Sequence, residues 1–260
     1  MLYKTTFKYY KKLQKAILLT LPAVILFSAS CDSGFPGDCF KNTGKMVWEE
    51  RAITGFNKVK LQDNVDLFIY NDSIDYVKVY AGENLIDKIS TTVSDSVLQV
   101  NNYNICNWVR DVNKPVEVHL YTNNLKHIEY RNASGNITTI DPLTGPLIEL
   151  RVREGHGKVM INTKTHHARL DYKSGTADVF FSGKVDYFGV FAGAYGMFDS
   201  REMNSRYVYI NQMSNNDVYT YAREILSVEI HLFGHIFYTG NPEISIQGRY
   251  GEGDLIYLEE

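Results

Sequence analysis

Apolar and polar residues alternate with a period of two over many short stretches. Val59 and Leu61, then Val65, Leu67 and Ile69, are interleaved with Lys58, Lys60, Asp66 and Phe68. Val77 and Val79 alternate with Lys78 and Tyr80, and Val116, Val118 and Leu120 with Glu117, His119 and Tyr121. Successive side chains of a strand point to opposite faces, so this pattern predicts strands with one buried face. Turn-forming segments separate them, as in Tyr70-Asn71-Asp72-Ser73 and Tyr80-Ala81-Gly82-Glu83-Asn84. Only the segment from Glu83 to Ile89 reads as a possible short helix.

The second half repeats its punctuation while its residues vary. Turns containing Gly or Asn fall near positions 135, 155, 175, 194, 215, 234 and 251, at steps of 20, 20, 19, 21, 19 and 17. Between them run Ile148-Leu150-Val152, Val159-Ile161, Val179-Phe181, Val208-Ile210 and Val228-Ile230-Leu232. A fixed period near 20 with strand patterning between turns predicts an all-β solenoid, each coil stacking on the next. A β-sandwich with hairpins of that length gives the same spacing and stays open as the alternative.

The N-terminus is organised differently. Lys4, Lys8, Lys11, Lys12 and Lys15 precede an apolar stretch from Ala16 to Phe27, which ends in Ser28-Ala29-Ser30-Cys31. A charged segment, a short apolar core and small residues before a cysteine read as a secretory signal of the lipoprotein type. The expectation is a signal peptide over 1–30, lipid on Cys31, a Gly- and Pro-containing tether over 31–46, and one folded domain over 47–260. Membrane attachment would then run through that lipid. The location would be the cell envelope, most simply the outer membrane on its surface or periplasmic side. Removing 1–30 leaves 22 basic and 30 acidic residues, a formal net charge of −8. So acidic a chain has no diffuse attraction for nucleic acid, which is not expected as a partner. With Cys31 lipidated, Cys39 and Cys106 remain in a compartment that oxidises thiols, and a Cys39–Cys106 disulfide is expected. It would close a loop of nearly 70 residues, worth about 4 kcal/mol in the chain-entropy model. Two separate buried thiols are the alternative.

Landmarks along the mature chain resemble a known family. They are Cys39-Phe40-Lys41-Asn42-Thr43-Gly44, Glu50-Arg51 leading to Phe56, Ala81-Gly82-Glu83-Asn84-Leu85-Ile86 and Cys106-Asn107-Trp108. Ser134-Gly135-Asn136-Ile137-Thr138-Thr139 and Tyr238-Thr239-Gly240-Asn241-Pro242 complete the set. Together they are similar to the bacterial lipoprotein domain called the putative auto-transporter adhesin, head GIN domain, common in Bacteroidetes. The resemblance implies a right-handed, single-stranded β-helix and an adhesin-like role. It brings no catalytic residues and no cofactor.

The search for independent chemistry yields little. His231-Leu-Phe-Gly-His235 has the outer spacing of a zinc-protease helix but lacks the Glu base and sits in strand-like sequence. His166-His167 reads as a solvated loop pair without nearby carboxylates, and Asp63, Asp66, Asp72 and Asp75 do not have EF-hand spacing. The enzymatic alternative is cleavage of acidic polysaccharide along a stripe of Arg151, Arg153, Lys158, Arg169 and Lys173. The preferred reading is a non-enzymatic binding or structural module. The composition includes 19 Tyr and 13 Phe, and Tyr172, Tyr187, Tyr195, Tyr207, Tyr209, Tyr219, Tyr221, Tyr238 and Tyr250 recur through the repeat. Aromatic faces suit both the stacking of coils and contact with sugar rings. Tyr207 and Tyr209 are the candidate ligand contacts, for a glycan or a surface protein. Asp72-Ser73-Ile74 and Asp95-Ser96-Val97 also resemble Bacteroidetes O-glycosylation acceptors.

Overall fold

A computed structural model describes residues 42–105 and 114–259. The expected signal segment, Cys31, Cys39 and Cys106 lie outside the described residues, and with them the lipidation and disulfide expectations. The described chain is all-β apart from one 3-10 turn, Ile86–Lys88, inside the stretch expected to be a short helix.

From His127 onward the chain winds a parallel solenoid. Its strands are His127–Ala133 (β8), Ile137–Thr139 (β9), Leu143–Arg153 (β10), Lys158–Tyr172 (β11) and Asp178–Ala192 (β12). They continue as Phe198–Ser200 (β13), Met203–Gln212 (β14), Val218–Tyr221 (β15), Ile225–Ile230 (β16), Ile236–Thr239 (β17), Glu243–Arg249 (β18) and Leu255–Tyr257 (β19). All pairings in this region are parallel. Leu143 aligns with Thr163, Lys158 with Asp178 and Gly183 with Met203, each a step of 20. The period read from the turns is therefore the coil length, and the sandwich alternative falls.

Each coil carries two main faces. The first holds β8, the later halves of β10, β11 and β12, then β14, β16 and β18; the second holds β9, the beginnings of β11 and β12, then β13, β15, β17 and β19. A short third face, at 143–145, 163–165, 183–185 and 203–205, joins them in the middle coils. Where the third face is absent the step shrinks to 18, as in Tyr207 with Ile225.

The core is built of inward columns such as Ile128, Leu150, Leu170, Val190, Ile210 and Val228, each in register with the next and buried. A full side chain of this kind contributes roughly 1.5–3 kcal/mol when removed from water. At one corner the column alternates large and small: Tyr130, Val152, Tyr172, Ala192, Gln212 and Ile230. The buried Tyr130 hydroxyl donates to the Gly135 carbonyl at 2.6 Å and accepts from the Gly157 amide at 2.8 Å. Tyr172 donates to Ala177 at 2.6 Å, and Gln212 donates to Asn216 at 2.5 Å. Every second coil thus pins its own turn with a buried side chain. Glycine is required beside these plugs, since a Cβ on Gly155 would run into the Tyr130 ring and one on Gly196 into the Tyr172 hydroxyl.

The N-terminal part is not stacked in sequence order. It comprises Met46–Ala52 (β1), Lys58–Asp63 (β2), Asp66–Tyr70 (β3), Tyr76–Gly82 (β4), Ile89–Ser94 (β5), Val97–Asn102 (β6) and Glu117–Tyr121 (β7). β2 and β3 form a coil that pairs in parallel with β8 and β9 on one side and with β6 and β7 on the other. The segment that follows β3 in sequence therefore passes beneath it. Antiparallel β4 and β5 then cover β7 and β6, and β1 covers β4. Residues at the end of the expected tether already belong to this body: Thr43 is buried, and Lys45 donates its amide to Glu83 at 3.2 Å. Tyr80 to Gly82, read as loop, is the end of β4.

Candidate functional site

The middle coils carry an open groove on the outside of the first face. Outward positions of β11, β12 and β14 form two neighbouring columns. One runs Leu147, His167, Tyr187, Tyr207 and Ile225; the other runs Glu149, Arg169, Gly189, Tyr209 and Ser227. The rings of the first column form a ladder, His167 on Tyr187 at 5.0 Å and 13°, and Tyr187 on Tyr207 at 4.9 Å and 25°. Such offset stacks follow from the strand spacing, which sets in-register side chains close to ring-stacking distance. The Arg206 guanidinium lies over Tyr207 at 4.7 Å. Tyr187 remains 50% exposed and Tyr209 40% exposed; since the faces of Tyr187 are taken by His167 and Tyr207, the ladder presents ring edges to the groove.

The floor of the groove is Gly189, a gap in the second column between Arg169 and Tyr209. It is the glycine among those described that neither conformation nor packing explains: its φ is not in the left-handed region, and an added Cβ would meet nothing within 4 Å. Glycine inside a strand weakens it, and its usual reasons are a bulge, a bend or the close approach of another molecule. Around it the groove encloses about 720 Å³, lined chiefly by Leu147, His167, Arg169, Tyr187, Tyr207 and Tyr209.

The polar groups at the groove are held in fixed pairs. Tyr209 donates to Glu229 at 2.8 Å, and partial burial, followed by that bond, raises its phenol above the ordinary value. Glu149 is buried, which works to raise its carboxyl. Hydrogen bonds from Arg151 at 3.1 Å and His127 at 2.8 Å outweigh this, and its pKa is lowered. Arg169 reaches Glu149 only at 4.0 Å and is largely exposed.

The structure thus brings Tyr207 and Tyr209 into one groove and adds Tyr187, His167 and Gly189. The 20-residue spacing of Tyr187 and Tyr207 was a usable signal for the ladder; nothing in the sequence distinguishes Gly189 from the turn glycines. The other tyrosines serve elsewhere. Tyr172 is buried, Tyr219 stacks on Phe237 at 5.1 Å, and Tyr250 stacks on His231 at 4.7 Å.

Several expectations are corrected. His166 and His167 lie within β11, not in a loop, and His166 contacts the Asp186 carboxylate at 2.8 Å in the next coil. The basic residues do not form one stripe: Arg151 and Arg153 are tied to Glu149 and Asp171 on the first face, while Lys158 covers Phe180 on the second. His231 contacts Glu229 at 3.2 Å, whereas His235 accepts the Asp254 amide at 2.9 Å. Asp63, Asp66 and Asp72 cap backbone amides of Asn102, Asn136 and Ile74. Among the described residues no group of three or more His, Cys, Asp or Glu is arranged to hold a metal ion.

A second aromatic surface, missed in the sequence, lies on the second face near the N-terminal end. His119 is its centre. Its Nε2 donates to Glu117 at 3.0 Å, leaving Nδ1 to accept the Tyr70 hydroxyl at 3.1 Å. Phe68 stacks on the imidazole at 4.8 Å and Trp48 meets it edge-on at 4.9 Å. Tyr70, Tyr121 and Tyr76 continue the stack at 4.5 and 4.3 Å.

Residues 55–242 match the model of a family described as putative auto-transporter adhesin, head GIN domain. Solved structures with a similar fold include a putative adhesin from Bacteroides fragilis, with a TM-score of 0.69 and 17% identity over 82% of this chain and 97% of that one. A putative adhesin from Parabacteroides merdae gives a TM-score of 0.62 and 19% identity over 84% and 98%. A protein from Parabacteroides distasonis, named a putative lipid binding protein, gives 0.61 and 19% over 84% and 98%. No curated protein matches the chain.

Proposed function

The chain belongs to the putative auto-transporter adhesin, head GIN domain family, and from that premise we propose that it is a binding module of the cell envelope that holds a glycan in the groove of the first face. The observation that carries this reading is Gly189, a glycine with no structural need at the bottom of an open aromatic trough. Sugar rings present apolar C–H faces that can lie along the ring edges of the Tyr187–Tyr207 ladder and against Tyr209, while the exposed Arg169 and His167 offer hydrogen bonds at the rim. Binding without turnover is favoured because the carboxylates beside the groove, Glu149, Glu224 and Glu229, are each held by a hydrogen-bonding neighbour rather than poised as acid and base. The remaining parts of the proposal are a signal over 1–30, lipid on Cys31 as the membrane link, a tether from there to the folded body, which already includes Thr43, and a Cys39–Cys106 cross-link holding that tether to the domain.

The test is a panel of oligosaccharides titrated against the purified protein and its Gly189→Phe variant. The Cβ of a phenylalanine there has open space, and its ring would occupy the trough among the lining side chains, so thermal stability should hold while glycan affinity falls at least tenfold. Tyr207→Ala with Tyr209→Ala should act in the same direction. Glycan binding that survives Gly189→Phe unchanged would remove the groove as the site.

A further inference from the structure

One end of the groove carries a charge arrangement that the fold does not need. Lys164 of β11 and Lys184 of β12 stand directly in register on the third face, with Thr144 before them and Asn204 after them. Both are exposed, and neither has an ion-pair partner among the described residues. Like charges opposite one another across neighbouring strands repel. Arginines on these coils are matched, Arg151 with Glu149, Arg153 with Asp171, Arg206 with Glu224 and Arg201 with Asp199. What sets Lys164 and Lys184 apart from Lys158 and Lys173, also without an ion-pair partner among the described residues, is that they face each other across neighbouring strands. The one carboxylate at this corner, Asp186, pairs with His166 at 2.8 Å and also feels the charge of Lys184, so a single carboxylate faces both lysines and the histidine.

The corner is also hollow. A recess of about 320 Å³ is lined by Gly145, Lys164, Thr165, His166, Lys184 and Asp186. Gly145 is explained by its backbone, with φ at 138°, and an added Cβ there would also meet nothing within 4 Å, so the recess is open above it. The recess abuts the groove directly. Gly145, His166 and Asp186 line one, and their chain neighbours Pro146, His167 and Tyr187 line the other.

We propose that Lys164 and Lys184 form the anion-binding end of the groove, so that its ligand is an acidic glycan whose ring lies along the edge of the Tyr187–Tyr207 ladder while its carboxylate or sulfate sits between the two ammonium groups. This rests on the reading of the groove as a glycan site. An anion there relieves the lysine pair's repulsion, which a neutral sugar does not. In a chain whose overall charge is negative, such a local pair supplies short-range selection rather than long-range steering.

Three galactose-based probes of equal length separate the possibilities: a neutral galactose oligomer, a galacturonic acid oligomer and a sulfated galactose oligomer. At low salt at least one acidic oligomer should bind tenfold or more tightly than the neutral one, and the gap should narrow as salt rises. The carboxylated and sulfated probes identify which group the corner takes. In the Lys164→Gln, Lys184→Gln variant the acidic oligomer's advantage should collapse to within about twofold. Equal affinity for acidic and neutral oligomers would overturn the anion site while leaving the groove as a glycan site. An advantage that persists in the double variant would also overturn it. Binding of none of the three, with Gly189→Phe also without effect on the wider panel, would overturn both readings.

Discussion

Tyr172 and Tyr209 sit on the same face two coils apart, and their surroundings are opposite. Tyr172 points inward, is 1% exposed, and spends its hydroxyl on the Ala177 carbonyl. Tyr209 points outward beside a bare glycine and reaches Glu229 across the neighbouring coil. The interior corner is a site where removing an atom leaves a hole or an orphaned carbonyl. The groove is one where an added atom meets only solvent. The same residue type therefore serves stability in one place and recognition in the other, and the difference lies in what surrounds the ring.

That contrast is sharpest in Tyr172→Phe, which should cost about 1–3 kcal/mol by leaving a buried carbonyl unpaired. Chemical denaturation measures this, and a loss below about 0.5 kcal/mol would break the assignment of the hydroxyl as a pin. High pH probes the same group. Burial pushes the Tyr172 phenol well above its ordinary value of 10.0. The folded state thus keeps a proton that the unfolded state releases. Stability from this group is complete below pH 10 and is lost as pH rises beyond it, by up to about 1.4 kcal/mol per pH unit. Urea midpoints taken from pH 9 to 11 should fall, and Tyr172→Phe should flatten the slope. The smallest effects belong to the groove. Tyr207→Ala should shift stability by no more than about 0.5 kcal/mol. Gly189→Ala should raise stability by roughly 0.5–1 kcal/mol, since strand glycine is costly in backbone entropy. A marked destabilisation from Gly189→Ala would show that the fold, not a ligand, requires the glycine.

The inward or outward sense of these tyrosines was legible by parity. Ala168, Leu170 and Tyr172 share one phase, whereas Val208 and Ile210 fix Tyr209 on the other. Tyrosine obscured this because its ring is at home on either side. The coil length was legible for a related reason: turns stacked at one corner must recur at the coil period, and close approach there restricts several of them to glycine. The N-terminal strand order was not legible. β2 pairs with β6 at a separation of 39 residues and with β8 at 69. Such distant partners leave no local period, and the alternation of Val59 and Leu61 is the same whichever strand lies alongside. The aromatic cluster around His119 was hidden by the same circumstance, since β1, β3, β4 and β7 contribute its rings from segments that only the pairing brings together.

The antiparallel strands at the N-terminal end give the molecule a direction of growth. Beyond His127 each coil touches only its two neighbours, so a coil of about 20 residues inserted between β12 and β14 would disturb a single interface before re-creating it. Within the interleaved N-terminal part an insertion would separate strands that depend on partners far away in sequence. Length variation among related chains is therefore expected in the regular coils. There each added turn would extend the aromatic trough by one strand spacing, about 4.8 Å. Ligand reach is in this sense a quantity counted in coils, adjustable by duplication without rebuilding the closed end.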